Sequence, residues 1–178
     1  MQSIAKGAFK RDHVSHGRAA RSSQSGRHPP PTNASLLDEA AARPDDRVLI
    51  IGAPNADLLC DALRHGCRSA LEVVRPPTHP DPAEIVVAPR VASETEAVAI
   101  ALCAQRALAA SGSGGRVALS LLGQAARSLA RSLVNRLRAY GFERIRLRAQ
   151  AEGDLLLVCL LPPLHPPSRP SVHGNGSA

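Results

Sequence analysis

The chain has 178 residues with one tyrosine, two phenylalanines and no tryptophan, so it suits a single domain with tails whose core is filled by aliphatic side chains. The net charge of +7 is uneven: residues 1–33 hold six basic groups and one acid, residues 34–164 hold fifteen and fourteen, and residues 165–178 add only Arg169. Cys60, Cys67, Cys103 and Cys159 lie among apolar neighbours at no metal-type spacing, and no apolar run reaches the roughly 18 residues of a membrane span, which counts against a metal site, a disulfide-stapled secreted domain and a membrane helix.

Residues 1–33 combine Ser, Gly, His and Arg with Pro29-Pro30-Pro31 and little apolar content. Burial there cannot offset the entropy of ordering, so the segment reads as a disordered basic tail. It lacks the apolar h-region of a secretory signal, and the expected location is cytoplasmic. Its composition also suits an organelle transit peptide, a basic arm on nucleic acid or a plain solvated tail. Residues 165–178 read as a second disordered tail.

Between the tails, strands and helices alternate. Ser35 can cap a helix through Ala42, stopped by Arg43-Pro44 because the residue before proline avoids the helical region. Val48-Leu49-Ile50-Ile51 is a continuous apolar run, as in a strand buried on both faces. Asp57 to His65 is a helix closed by Gly66. Ala70–Val74 and Glu84–Ala88 are the second and third strands. Ser93 caps a helix to about Ala110, with Glu94 and Glu96 in its first turn. The Ser111–Gly115 loop leads into a strand from Val117 to Leu122. Ala125 to Tyr140 is a helix with Ala126, Ala130, Leu133, Leu137 and Tyr140 on one face. Arg144–Arg148 and Leu155–Leu161 close the set, joined by a connection too short for a parallel crossover, so one of them runs antiparallel. The pattern predicts an α/β domain over residues 34–164, with a mostly parallel sheet, helices on both faces and an antiparallel C-terminal strand.

Four stretches together resemble the class I S-adenosylmethionine-dependent methyltransferases. "LLDEAAARPDDRVLIIGAPNADLLCDAL" is similar to the family's first helix, first strand and nucleotide loop, and "EIVVAPRV" to its fourth strand. "ALCAQRALAASGSGGRVALSLL" is similar to the helix, glycine turn and fifth strand, and "LVNRLRAYGFERIRLRAQAEGDLLLVCLLP" to the closing helix and final strand pair. The resemblance implies a Rossmann-like fold with S-adenosylmethionine as cofactor and no metal. It places the cofactor contacts at Gly52, Ala53, Asn55, Asp57, Glu72 and Pro89.

The sequence also departs from the family. Ile50 stands where the first strand usually ends in an acid, and Pro54 and Ala56 occupy the second and third positions of the glycine-rich turn. Pro54 has no N–H to donate. Glu72, matching the ribose-binding acid, lies two residues early, a withdrawal of about 6.6 Å along the strand on an unchanged face. Between Val74 and Glu84, where the family has a helix, a third strand and the adenine loop, there are nine residues of which four are proline. They forbid a helix, and an extended path of about 28 Å just returns the chain along one strand and across two strand spacings. Ala88-Pro89-Arg90-Val91 lacks the amide and aromatic that many members use for amino acceptors, and no catalytic residue is assigned.

These departures imply cofactor binding weakened or lost, and two functions follow. One is a non-catalytic binding or scaffold module with a protein or RNA partner; the other is an active but divergent methyltransferase. For RNA, Arg144, Arg146 and Arg148 alternate with Ile145 and Leu147 and would share one strand face, with Arg127, Arg131 and Arg138 along one helix face. The same charges would equally protect a sheet edge, and the scarcity of aromatics counts against stacking on single strands.

Overall fold

The computed structural model describes residues 34–150 and 153–163. The two expected tails lie outside the described residues. Four helices, α1 (Ala34–Glu39), α2 (Ala56–Arg64), α3 (Glu94–Ser111) and α4 (Ala126–Ala139), alternate with six strands. These are β1 (Arg47–Ile51), β2 (Ser69–Val73), β3 (Ile85–Val91), β4 (Gly115–Leu121), β5 (Glu143–Ala149) and β6 (Leu155–Leu161). They form one sheet in the order β2-β1-β3-β4-β6-β5. β2, β1, β3 and β4 are parallel, and β6 runs antiparallel to both its neighbours. The expected fold class is therefore the observed one.

Strand composition places the core. Along β1 and β3, Val48, Ile50, Ile85 and Val87 point to one face and Leu49, Ile51, Val86 and Ala88 to the other, all of them buried. α1 and α2 cover the first face with Leu36, Leu37, Leu58 and Ala62. α3 and α4 cover the second. Alanines at 97, 101, 104 and 107 let α3 approach the sheet closely. Its ends follow the sequence: Ser93 Oγ accepts the Glu96 N–H at 3.2 Å, and Gly112 closes it at φ +73°. α4 buries Ala126, Ala130, Leu133 and Leu137, the stripe expected from its periodicity.

Some boundaries move. α1 ends at Glu39 instead of Ala42, because Ala41 turns to φ +51° while the Ala42 N–H bonds back to the Leu37 carbonyl. β3 runs on to Val91, carrying Pro89 inside a strand. Cys67, Cys103 and Cys159 are buried as expected, but Cys60 is exposed on the outer side of α2. Burial alone pushes the Cys159 thiol up to about 12.

Residues 75–83 return the chain from β2 to β3 without helix or strand. Arg106 Nη1 holds the Thr78 carbonyl at 3.0 Å, and the Ala83 N–H reaches the Ala107 carbonyl at 3.2 Å. At the end of this path Glu84 joins three strands. Its N–H donates to the Arg47 carbonyl at 3.0 Å and its carbonyl accepts the Arg116 N–H at 2.9 Å. Its carboxylate accepts the Arg47 N–H at 2.8 Å, Nε at 3.1 Å and Nη2 at 2.6 Å. Arg116 in turn pairs with Asp46 at 2.7 Å. The close approach explains Gly115, where a Cβ would lie 2.3 Å from the Glu84 carbonyl oxygen.

Hydrogen bonding from Arg47 holds the Glu84 carboxyl below the usual carboxylate range. A carboxyl depressed in the fold stabilises it above the unfolded-state value, and that contribution fades as pH falls through the folded value. Arg47 is 35% exposed, so solvent screening reduces the pair's contribution. Glu84→Gln is expected to lower unfolding free energy by about 1–2 kcal/mol at neutral pH, and by progressively less as pH falls through the carboxylate range. Urea unfolding across that range checks this; a gap independent of pH would mean that the ion pair is not its source.

Candidate functional site

β1 and β3 lie side by side, yet the chain leaves β1 toward β2 on one side and returns to β3 on the other. The loops beyond their carboxyl ends therefore diverge, and such a switch point is where open α/β sheets bind ligands. The six residues expected to contact a cofactor all belong to this end of the sheet.

Gly52 follows β1 at φ +147°, a conformation that favours glycine, and its N–H donates to the Val73 carbonyl at 2.9 Å. It is buried, and a Cβ there would sit 3.7 Å from the Pro89 ring, so the loop rests on β3. Ala53 and Pro54 are exposed. Asn55 caps α2, its Oδ1 accepting the Leu58 N–H at 3.2 Å, and Asp57 stands exposed in the first turn. Glu72 lies opposite Ile50 in β2, and its carboxylate accepts the Asn55 backbone N–H at 2.5 Å. The two-residue offset therefore does not remove Glu72 from the loop. The turn brings Asn55 back to it, an approach that strand spacing alone does not reveal.

Pro89 is buried, and the β3–β4 register slips between Ala88 and Val91. A proline cannot donate to the ladder, so a bulge is where a sheet tolerates it. The slip leaves Arg90 exposed at the carboxyl end of β3. Arg90 thus joins the site's margin, for which the only sequence signal was its place after a proline. Asp154 is a second unforeseen neighbour of this end of the sheet: its carboxylate accepts the Gly123 N–H beyond β4 at 2.7 Å. Among the described residues no group of three or more His, Cys, Asp or Glu could hold a metal.

The arginines separate. β5 carries an extra residue between Glu143 and Arg146, and Arg144 takes φ +50°. The bulge breaks the strict alternation that would have put three guanidinium groups on one face. Arg146 and Arg148 stay together, opposite Val158 and Leu156, on the side of α1, where Arg148 pairs with Glu39. α4 packs into the other core, so its exposed Arg127, Arg131 and Arg138 lie across the sheet from them.

No protein-family model and no curated protein matches this sequence. Solved structures do match. An S-adenosylmethionine-dependent O-methyltransferase from Thermotoga maritima superposes at TM-score 0.57 with 11% identity, covering 76% of this chain and 67% of that one. Precorrin-6y C5,15-methyltransferase from Geobacter metallireducens gives 0.53 and 12%, covering 73% and 86%. Ribosomal protein L11 methylase from Lactobacillus delbrueckii gives 0.53 and 15%, covering 71% and 75%. At such identities the likeness shows the fold, which is that of the class I methyltransferases.

The Glu72–Asn55 bond closes the turn between β1 and α2. Glu72→Ala is expected to speed hydrogen exchange at the Asn55 amide and to lower stability by about 1–2 kcal/mol, whereas Glu72→Gln keeps an acceptor and most of both. Unchanged exchange in Glu72→Ala would show that the turn holds itself.

Proposed function

We propose that this methyltransferase-fold domain transfers no methyl group and acts as a binding or scaffold module for a protein partner. The observation that carries this is the Glu72–Asn55 hydrogen bond. The carboxylate matched to the ribose of the cofactor is engaged by the loop that ought to cradle that cofactor. The same loop has Pro54, without an N–H, at its apex, and β2 is the last strand, so nothing in the described sheet stands beyond it as a wall. These features count against S-adenosylmethionine as a ligand of this site. Pro89, buried in a strand, aligns no acceptor.

A protein is favoured over RNA as partner because the domain is close to neutral and poor in aromatics. Its arginines are also divided between the two faces of the sheet, with Arg148 already paired. RNA contacts at Arg144, Arg146 and Arg148 would instead give affinity that falls steeply with salt.

One observation favours the alternative, a divergent active methyltransferase: Gly52, Asn55 and Glu72 do converge at the carboxyl ends of β1 and β2. Calorimetric titration of S-adenosylmethionine and S-adenosylhomocysteine into the full chain decides between the two. No heat is expected up to about millimolar ligand. Binding at about micromolar affinity or better, weakened by Glu72→Ala, would overturn the non-catalytic reading.

A further inference from the structure

The two edges of the sheet are treated differently. β5 carries Glu143, Arg144, Arg146 and Arg148 and a bulge, devices that discourage strand addition. β2, Ser69-Ala70-Leu71-Glu72-Val73, has neither a basic residue nor a bulge, and it pairs with β1 in unbroken register. Four large hydrophobic side chains are exposed among the described residues, and three of them lie on or beside β2: Leu71 at 46%, Val74 at 64% and Leu63 of the adjacent α2 at 64%. They are not one patch: Leu71 lies on the sheet face of α3 and Leu63 on that of α2, so the open edge strand is flanked by exposed apolar side chains on both faces.

Backbone directions along this edge follow from the pairing. The Val73 carbonyl accepts from Gly52, so Val73 faces β1, and by alternation Leu71 and Ser69 face it too. Ala70 and Glu72 therefore turn their N–H and C=O groups outward. We infer that β2 is the self-association edge of this protein, where a second copy adds its own β2 antiparallel about a two-fold axis through Leu71. This rests on the reading of the chain as a binding module.

That register is self-complementary. Ala70 of each copy faces Glu72 of the other, so the outward donors and acceptors of both strands pair with one another. Leu71 meets its own counterpart in a non-hydrogen-bonded pair, where side chains approach most closely. No like charges stand directly opposite: Arg68 faces Val74, and Glu72 lies diagonal both to Arg68 and to Glu72 of the other copy. Self-pairing of β5 would instead crowd arginine against arginine. Leu71 also lines a cleft of about 250 Å³ of mixed polarity, shared with Arg47, Ser69, Asp81 and Pro82, beside the two-fold axis. An isologous contact of this kind joins two six-stranded sheets into one continuous sheet. One five-residue strand from each copy makes the backbone contact, so weak association, at about tens of micromolar, is expected.

Analytical ultracentrifugation of the full chain, up to about 100 μM, tests this. A dimer is expected, weakened about tenfold or more by Leu71→Lys and untouched by Leu147→Lys on the opposite edge, with circular dichroism confirming that both variants are folded. Leu71→Cys in a Cys60→Ser background should oxidise to a covalent dimer, because only this register brings residue 71 against itself. A monomer throughout the concentration range, a dimer indifferent to Leu71→Lys, or a residue 71 that does not cross-link overturns the proposal. Cofactor titration reads the other property separately: a cofactor-binding dimer would sink the non-catalytic reading alone, and a monomer without cofactor binding would sink the edge pairing alone.

Discussion

The fold depends on what happens at Glu84. Residues 75–83 must carry the chain from the end of β2 to the start of β3, on the far side of β1, with no helix to set the path. Glu84 meets that requirement by bonding backbone to both neighbouring strands while its carboxylate takes three donors from Arg47. The arriving chain is fixed in register at its first residue. From there β3 runs through Ile85, Val86 and Val87, all fully buried, and the two cores form on either side. Arg116 and Asp46 close the same end of the sheet from β4. The polar contacts sit at the rim and the apolar residues fill the middle, so few charges are buried.

At the opposite end the same register brings Gly52 against Pro89 and Glu72 within reach of Asn55. The first is a packing contact and the second a hydrogen bond. Glu72 Oε1 takes the Asn55 backbone N–H and so ties the turn after β1 to β2. The methyltransferase-like fold rests on strand order and apolar burial.

The short return path also leaves β2 as the last strand, with Leu71 and Val74 uncovered. β5, the other edge, is guarded by charge and a bulge. The asymmetry is physical: an edge without basic side chains or a bulge offers unpaired backbone groups to any strand that matches it.

Periodicity and punctuation by themselves determined much of this protein. Continuous apolar runs gave the buried strands, the alanine-leucine stripe gave α4, Ser93 and Gly112 bounded α3, and four prolines after Val74 ruled out a helix. These are local effects of backbone and burial, legible wherever the neighbouring residues decide the outcome. Tertiary structure alone decided the contacts between distant segments: Glu84 with Arg47, Glu72 with the turn at Asn55, and Arg148 with Glu39. It also decided the bulge at Arg144 that parts the arginines, and the exposure of Cys60. The reason is one of range: a side chain's periodicity fixes which face it occupies, whereas its partner depends on how strands far apart in the chain come into register.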